Sequence, residues 1–107
     1  MYMSIINDIS CLVDNKIIVL AEHQSTINEN MPLRCLQYIG RIYEKIQEPR
    51  NKYCRHLVKI PRAEFYVFYN GTEDYPVEKD LKLSDAFIET EEQVQLEVRV
   101  GYQHQYK

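Results

Sequence analysis

The chain has 107 residues, 45% of them hydrophobic, and a formal charge of −3. That length fits one domain, residues 1–107, burying roughly two-thirds of the surface its unfolded chain exposes, and it is too short for two. The negative charge offers no global attraction to a polyanion, so any nucleic-acid binding needs a local basic patch. Three glycines cannot build a Gly-rich phosphate loop, which excludes a P-loop nucleotide cofactor.

In chain order, residues 3–13 (MSIINDISCLV) and 16–24 (KIIVLAEHQ) are rich in β-branched residues and flank Asp14-Asn15, a pair that tolerates turn geometry. They predict a β-hairpin. The polar stretch 25–31 reads as a loop, and Asn30-Met31-Pro32 as the start of a helix over about 32–47, with Asn30 capping orphan amides. Leu33, Leu36, Ile39, Gly40, Tyr43 and Ile46 recur at helical spacing and predict its buried stripe. Arg34, Gln37, Arg41, Glu44, Lys45 and Glu48 take the other side, and Pro49 ends the helix.

Residues 50–62 are basic and ambiguous. Residues 63–69 (AEFYVFY) read as a strand ending at Asn70-Gly71. Residues 72–92 read as acidic and irregular, with Ser84 capping a short turn around Asp85 to Ile88. Residues 93–100 (QVQLEVRV) alternate as a last strand with Val94, Leu96, Val98 and Val100 inward. The predicted fold class is α+β (mixed α/β): a β-hairpin, a helix and two further strands, with one main helix packed on the sheet.

Three cysteines, Cys11, Cys35 and Cys54, form no CxxC pair, and no secretory signal pattern is present, so the expected setting is reduced and cytoplasmic. The longest apolar run, Ile17 to Ala21, is far below the roughly 20 residues that span a bilayer. No membrane association is expected.

The strand 16–24 ends in Glu22, His23 and Gln24. Residues two apart share a strand face, so Glu22 and Gln24 point with Ile18 and Leu20, and His23 points with Val19 and Ala21. A carboxylate ending so apolar a strand needs water, a counter-ion or a metal. Asp8 is the second candidate carboxylate. It shares Glu22's face only if the hairpin pairs 8 with 22, whereas a two-residue Asp14-Asn15 turn pairs 8 with 21 and turns it away.

The runs "NDISCLVDNKIIVLAEHQSTINENMPLRCLQYIGRIYEKI" and "HLVKIPRAEFYVFYNGTEDYPVEKDLKLSDAF", and more loosely "LEVRV", resemble the PD-(D/E)XK nuclease family transposases, the group that includes the bacterial recombination-promoting nucleases. "EHQST", "MPLR" and "FYVFYNG" in that order carry the resemblance. It implies a restriction-endonuclease-like core and a metal-dependent DNA endonuclease that hydrolyses phosphodiester bonds. Carried over, the catalytic residues are Asp8, Glu22 and Gln24. Asp8, Glu22 and the backbone carbonyl of His23 bind Mg²⁺ (or Mn²⁺), which prefers oxygen ligands and keeps several waters. Gln24 stands where many members have Lys and can only hydrogen-bond to the attacking water.

Arg34 and Arg41, with Lys45 extending the row, match basic positions that bind DNA. Family members usually begin with a helix and a further strand before the Asp-bearing strand. Their lack here predicts a truncated member with an open sheet edge, stable as a homodimer or higher oligomer and with doubtful catalytic activity. The alternative is a non-catalytic remnant serving as an oligomeric interaction or DNA-binding accessory module.

His23 faces away from Glu22 and is assigned no side-chain chemistry. Cys11 and Cys35 read as small core residues, Asp14 as a turn residue, and Tyr66 and Tyr69 as packing residues on opposite strand faces.

Overall fold

A computed structural model describes residues 2–6 (backbone only), 9–47, 53–90 and 92–105. The elements are β1 (Tyr2–Ile6), β2 (Ile9–Val13), β3 (Ile17–Gln24), α1 (Met31–Ile46), β4 (Arg62–Tyr69), β5 (Glu78–Lys82) and β6 (Arg99–His104). They form one mixed sheet in the order β1-β2-β3-β4-β6-β5. β1, β2 and β3 make an antiparallel meander, β3, β4 and β6 run parallel, and β5 returns antiparallel at the edge. This is the expected α+β class with one main helix on the sheet.

The expected hairpin is the β2–β3 pair. Its turn is built on Asp14, whose Oδ1 accepts from the Lys16 and Ile17 amides at 2.7 and 2.9 Å, while its own amide donates to the Ile17 carbonyl at 3.0 Å. Val13 therefore pairs with Ile18 and Ile9 with Glu22, a register different from both of those weighed above. The long first strand is two strands, because β1 folds back on the outer side of β2. The edge expected to be bare on β2 is thus paired, and β1 is the outer strand.

A parallel β3–β4 pair needs a crossover, which α1 supplies. Pro32 sits in its first turn, where a missing amide proton costs nothing. Asn30 is at the N-cap but makes no side-chain cap bond; Asn28 Oδ1 instead accepts from the Asn30 amide at 2.9 Å. At the other end the Tyr43 hydroxyl donates to the Pro61 carbonyl at 2.7 Å and ties α1 to the entry of β4.

The helix buries Met31, Pro32, Cys35, Tyr38, Ile39 and Ile42. Leu33 (47% exposed), Ile46 (44%) and Gly40 face outward instead, contrary to the expected stripe. Both stripes have three- and four-residue spacing and share Ile39, so periodicity alone does not choose between them. The sheet chooses, because the buried row brings Met31 to Gln24.

The core joins this row to Ile9 and Cys11 of β2, Ile18 and Leu20 of β3, Val67 and Tyr69 of β4, Val100 and Tyr102 of β6, and Leu81 of β5. Both Cys11 and Cys35 are buried, as expected.

The remaining differences lie near the C-terminus. β5 forms inside the stretch expected to be irregular, because Leu81 fills the core between exposed charged residues. A 3₁₀ turn covers Leu83–Ala86, and Ser84 does not cap it. Ser84 donates through its amide (3.0 Å) and hydroxyl (2.7 Å) to the two carboxylate oxygens of Glu97, which these bonds hold below the usual carboxylate range. Val94 and Leu96 are exposed and the last strand starts later, at Arg99, although Val98 and Val100 are inward as expected.

Gly40 sits in an exposed helix interior with open space where a Cβ would lie, so Gly40→Ala should raise stability by about 0.5–1 kcal/mol. At Gly71 a Cβ would run into the Ser25 carbonyl and the Tyr69 ring, so Gly71→Ala should lower it by about 1–3 kcal/mol. Urea unfolding reads both signs. The Lys16 and Ile17 amides hold the Asp14 carboxyl below its ordinary value. Its stabilisation is therefore present above the unfolded pKa and lost as pH falls through the lower folded one. Asp14→Ala should be less stable than the parent at pH 7, with the gap closing below about pH 4 in the same assay.

Candidate functional site

β3 ends under the first turns of α1. Its inward positions are Ile18, Leu20, Glu22 and Gln24, so the pattern that builds the core also carries a carboxylate and an amide onto the covered face. Each is only 8% exposed. Glu22 is compensated by Arg34, whose Nη1 stands 3.4 Å from both carboxylate oxygens. That is longer than the 2.7–2.9 Å typical of strong charge-assisted bonds, so the guanidinium neutralises Glu22 without clamping it.

Cys35, the next residue on α1, has its thiol pushed up to about 12 by burial, with the charge of Glu22 adding to the shift. It is no nucleophile at neutral pH.

Gln24 donates from Nε2 to the Met31 thioether at 3.0 Å. A thioether sulfur has no proton to give, so the amide nitrogen faces it and Oε1 is left buried with no partner among the described residues. The row continues across the sheet, because Gln24 pairs with Tyr69 and Tyr69 with His104. The Tyr69 and His104 rings pack 4.7 Å apart. His104 Nε2 lies 3.0 Å from the Gly71 carbonyl, which fixes it as the protonated nitrogen and leaves Nδ1 buried without a partner among the described residues.

One row back, the buried Tyr102 hydroxyl also has no partner among the described residues, and burial pushes its pKa up to about 12. The C-terminal ends of the three parallel strands thus share a polar floor inside a largely apolar layer.

Of the residues expected to form a site, Glu22, Gln24 and Arg34 come together. Arg41 and Lys45 lie farther along α1, both exposed, and the Tyr38 ring has the Arg34 guanidinium 6.0 Å and the Arg41 guanidinium 5.9 Å from its centroid. The His23 ring is on the opposite face of the sheet, 5.4 Å from Phe68. Its backbone is in the parallel ladder beside Phe68. Asp8 lies outside the described residues, and in the observed register Ile9 is opposite Glu22.

No group of three or more His, Cys, Asp or Glu among the described residues is placed to hold a metal ion. The oxygen donors present are the Glu22 carboxylate and the orphaned Gln24 Oε1, a hard pair that suits a cation keeping most of its waters. Met31, Tyr69, Tyr102 and His104 were not anticipated at this end of the sheet. The same inward alternation that includes Val98 and Val100 continues to Tyr102 and His104, and could have found the last two.

Among the described residues no helix is long and apolar enough to cross a membrane. Comparison with curated proteins and with solved structures gives no match. A family model described as "Putative transposase, YhgA-like" matches residues 12–102. That span runs from β2 into β6 and includes Glu22, Gln24 and the Arg34–Arg41–Lys45 row, and with most of its length matched the chain belongs to the YhgA-like transposase family.

Proposed function

We propose that this chain is a metal-dependent DNA endonuclease domain of the PD-(D/E)XK type, serving the DNA mobilisation of its transposase family. The reading rests on one observation: Glu22 and Gln24 sit side by side on the buried face at the end of β3, with Gln24 Oε1 unsatisfied. An unmade hydrogen bond in a buried amide costs about 1–3 kcal/mol, so Oε1 calls for a partner, and an ion or its water supplies one. Glu22, with the His23 carbonyl, would hold Mg²⁺ or Mn²⁺; the family resemblance adds Asp8, although Ile9 rather than position 8 stands opposite Glu22 in the observed register. When bound, the metal acidifies a water and neutralises charge on the scissile phosphate.

The residues of the chain have separate tasks. Arg34 gives the buried Glu22 carboxylate its counter-charge and, when the carboxylate turns to a cation, is free to face a phosphate oxygen. Gln24 accepts a hydrogen bond through Oε1, which orients a nucleophilic water without removing its proton. Arg41 and Lys45 continue the basic row along α1 and hold the DNA backbone in register.

A second reading is a DNA-binding or oligomeric accessory without cleavage. It is favoured by the way Arg34 faces both oxygens of Glu22, which answers the carboxylate's charge with no metal.

Supercoiled plasmid incubated with the chain and Mg²⁺ or Mn²⁺ tests the choice. Nicking should occur, stop on EDTA addition, and fall at least about 100-fold in Glu22→Gln and Asp8→Asn. Absence of nicking by the parent chain sinks the enzyme. Salt-sensitive plasmid binding that weakens in Arg41→Ala would then support the accessory. Independently, Arg34→Ala leaves the Glu22 carboxylate buried without its counter-ion and should cost about 1–3 kcal/mol in urea unfolding, whereas Arg41→Ala should change stability little.

A further inference from the structure

The face of the sheet opposite α1 carries a trough. In the parallel β4–β6 register Tyr66 lies beside Gly101 and Phe68 beside Gln103, and across the β5–β6 pairing Asp80 lies beside Gly101 and Glu78 beside Gln103. Two adjacent rows therefore read aromatic, floor, carboxylate. β4 supplies an aromatic wall, β5 an acidic wall, and β6 between them a floor with no side chain at Gly101. The resulting concavity is about 350 Å³. Two strand spacings set the walls about 10 Å apart, which accommodates a planar cation stacked on a ring on one side and hydrogen-bonded to a carboxylate on the other.

The aromatic wall is held in place before any ligand arrives. The Tyr66 and Phe68 rings are near-parallel, 19° apart in plane with centroids 6.5 Å apart. The Tyr66 hydroxyl donates to Glu64 Oε1, and Arg62 Nε donates to Glu64 Oε2 at 3.3 Å. At Gly101 a Cβ would stand 3.3 Å from the Tyr66 ring, which would have to give by a few tenths of an ångström, so the glycine leaves the floor open beside that ring. The acidic wall is unspent: neither Glu78 nor Asp80 has an ion-pair partner among the described residues. Lys79, between them in sequence, lies with Tyr102 on the other face and holds its ammonium 5.3 Å from the centroid of the Tyr75 ring.

We propose that this trough is a docking site for an arginine side chain of a partner protein. Two carboxylates repel a phosphate backbone, so the face is unsuited to DNA. An aromatic face opposite carboxylates selects a cation, and a flat fork that stacks and bonds two oxygens at once fits better than the compact ammonium of lysine. Arg34 and Arg41 of this chain lie near Tyr38 and Arg62 is bonded to Glu64, so none of these three fills the trough, and the occupant proposed is an arginine of a partner. Lys82 and Arg99 form the next row beyond Asp80 and screen it, so Glu78 is the stronger anchor.

The test is an amide NMR titration of the full chain with the peptide acetyl-GRGRG-amide and its lysine and citrulline counterparts. The arginine peptide should give saturable shifts at Gly101 and Gln103, the lysine peptide should bind more weakly, and the citrulline peptide should give none. Tyr66→Ala and Glu78→Gln should each weaken binding roughly two- to fivefold, with amide shifts elsewhere confirming that both variants fold. Shifts that do not saturate, that persist with citrulline, that survive both substitutions or that centre on α1 would overturn the proposal. Sedimentation velocity provides the other arm: self-association abolished by Tyr66→Ala would give the trough to a second copy and overturn the foreign partner.

Discussion

The pairing of β3 with β4, parallel and in register from Ile17 with Arg62 to Gln24 with Tyr69, is the constraint on which the rest of the molecule depends. A parallel pair cannot be closed by a tight turn, so the chain crosses over through α1, and the crossover covers one face of the sheet only. Once that face is chosen, every inward residue of β3 is buried, including Glu22 and Gln24. The carboxylate could not be carried there without a counter-ion, since desolvating an unpaired charge costs several kcal/mol. Arg34, one turn into the helix, supplies it. Site and core are thus consequences of one backbone pairing.

The same constraint explains what could be read from the sequence. The end of β3 was legible because a strand has only two faces: Ile18 and Leu20 had to be inside, so Glu22 and Gln24 had to follow, and His23 had to face the other way. The helix was legible in extent but not in rotation. Its sequence offers two apolar stripes, and the choice was made by long-range contacts with Gln24 that no local spacing records. β5 was hidden because an edge strand needs only one buried side chain, Leu81, and "EKDLK" otherwise has the composition of a loop. At β6 the phase was right and the extent wrong, since Val94 and Leu96 continue the alternation on paper but lie where the sheet no longer has a neighbour for them. Tyr102 and His104 were missed because the expected strand stopped at Val100, although the alternation continues to both.

The two faces of the sheet have different chemistry. The covered face ends in a polar floor whose acceptors Gln24 Oε1 and His104 Nδ1 are buried with no partner among the described residues. The open face carries stacked rings and carboxylates. Charge is segregated in the same way, with the basic row on α1 and the free carboxylates on β5, so a net charge of −3 hides two local fields of opposite sign. The body of the sheet separates them.

The crossover also orders events in time. The β1-β2-β3 meander pairs residues close in sequence and rests on local contacts, whereas the β3–β4 and β4–β6 ladders must each wait until a long stretch of chain has looped back. Arg34 reaches Glu22 only when α1 docks on the meander. Without α1 in place Glu22 would have no counter-ion and one flank of β3 no partner, so the helix that shelters the site is also what completes the strand's surroundings.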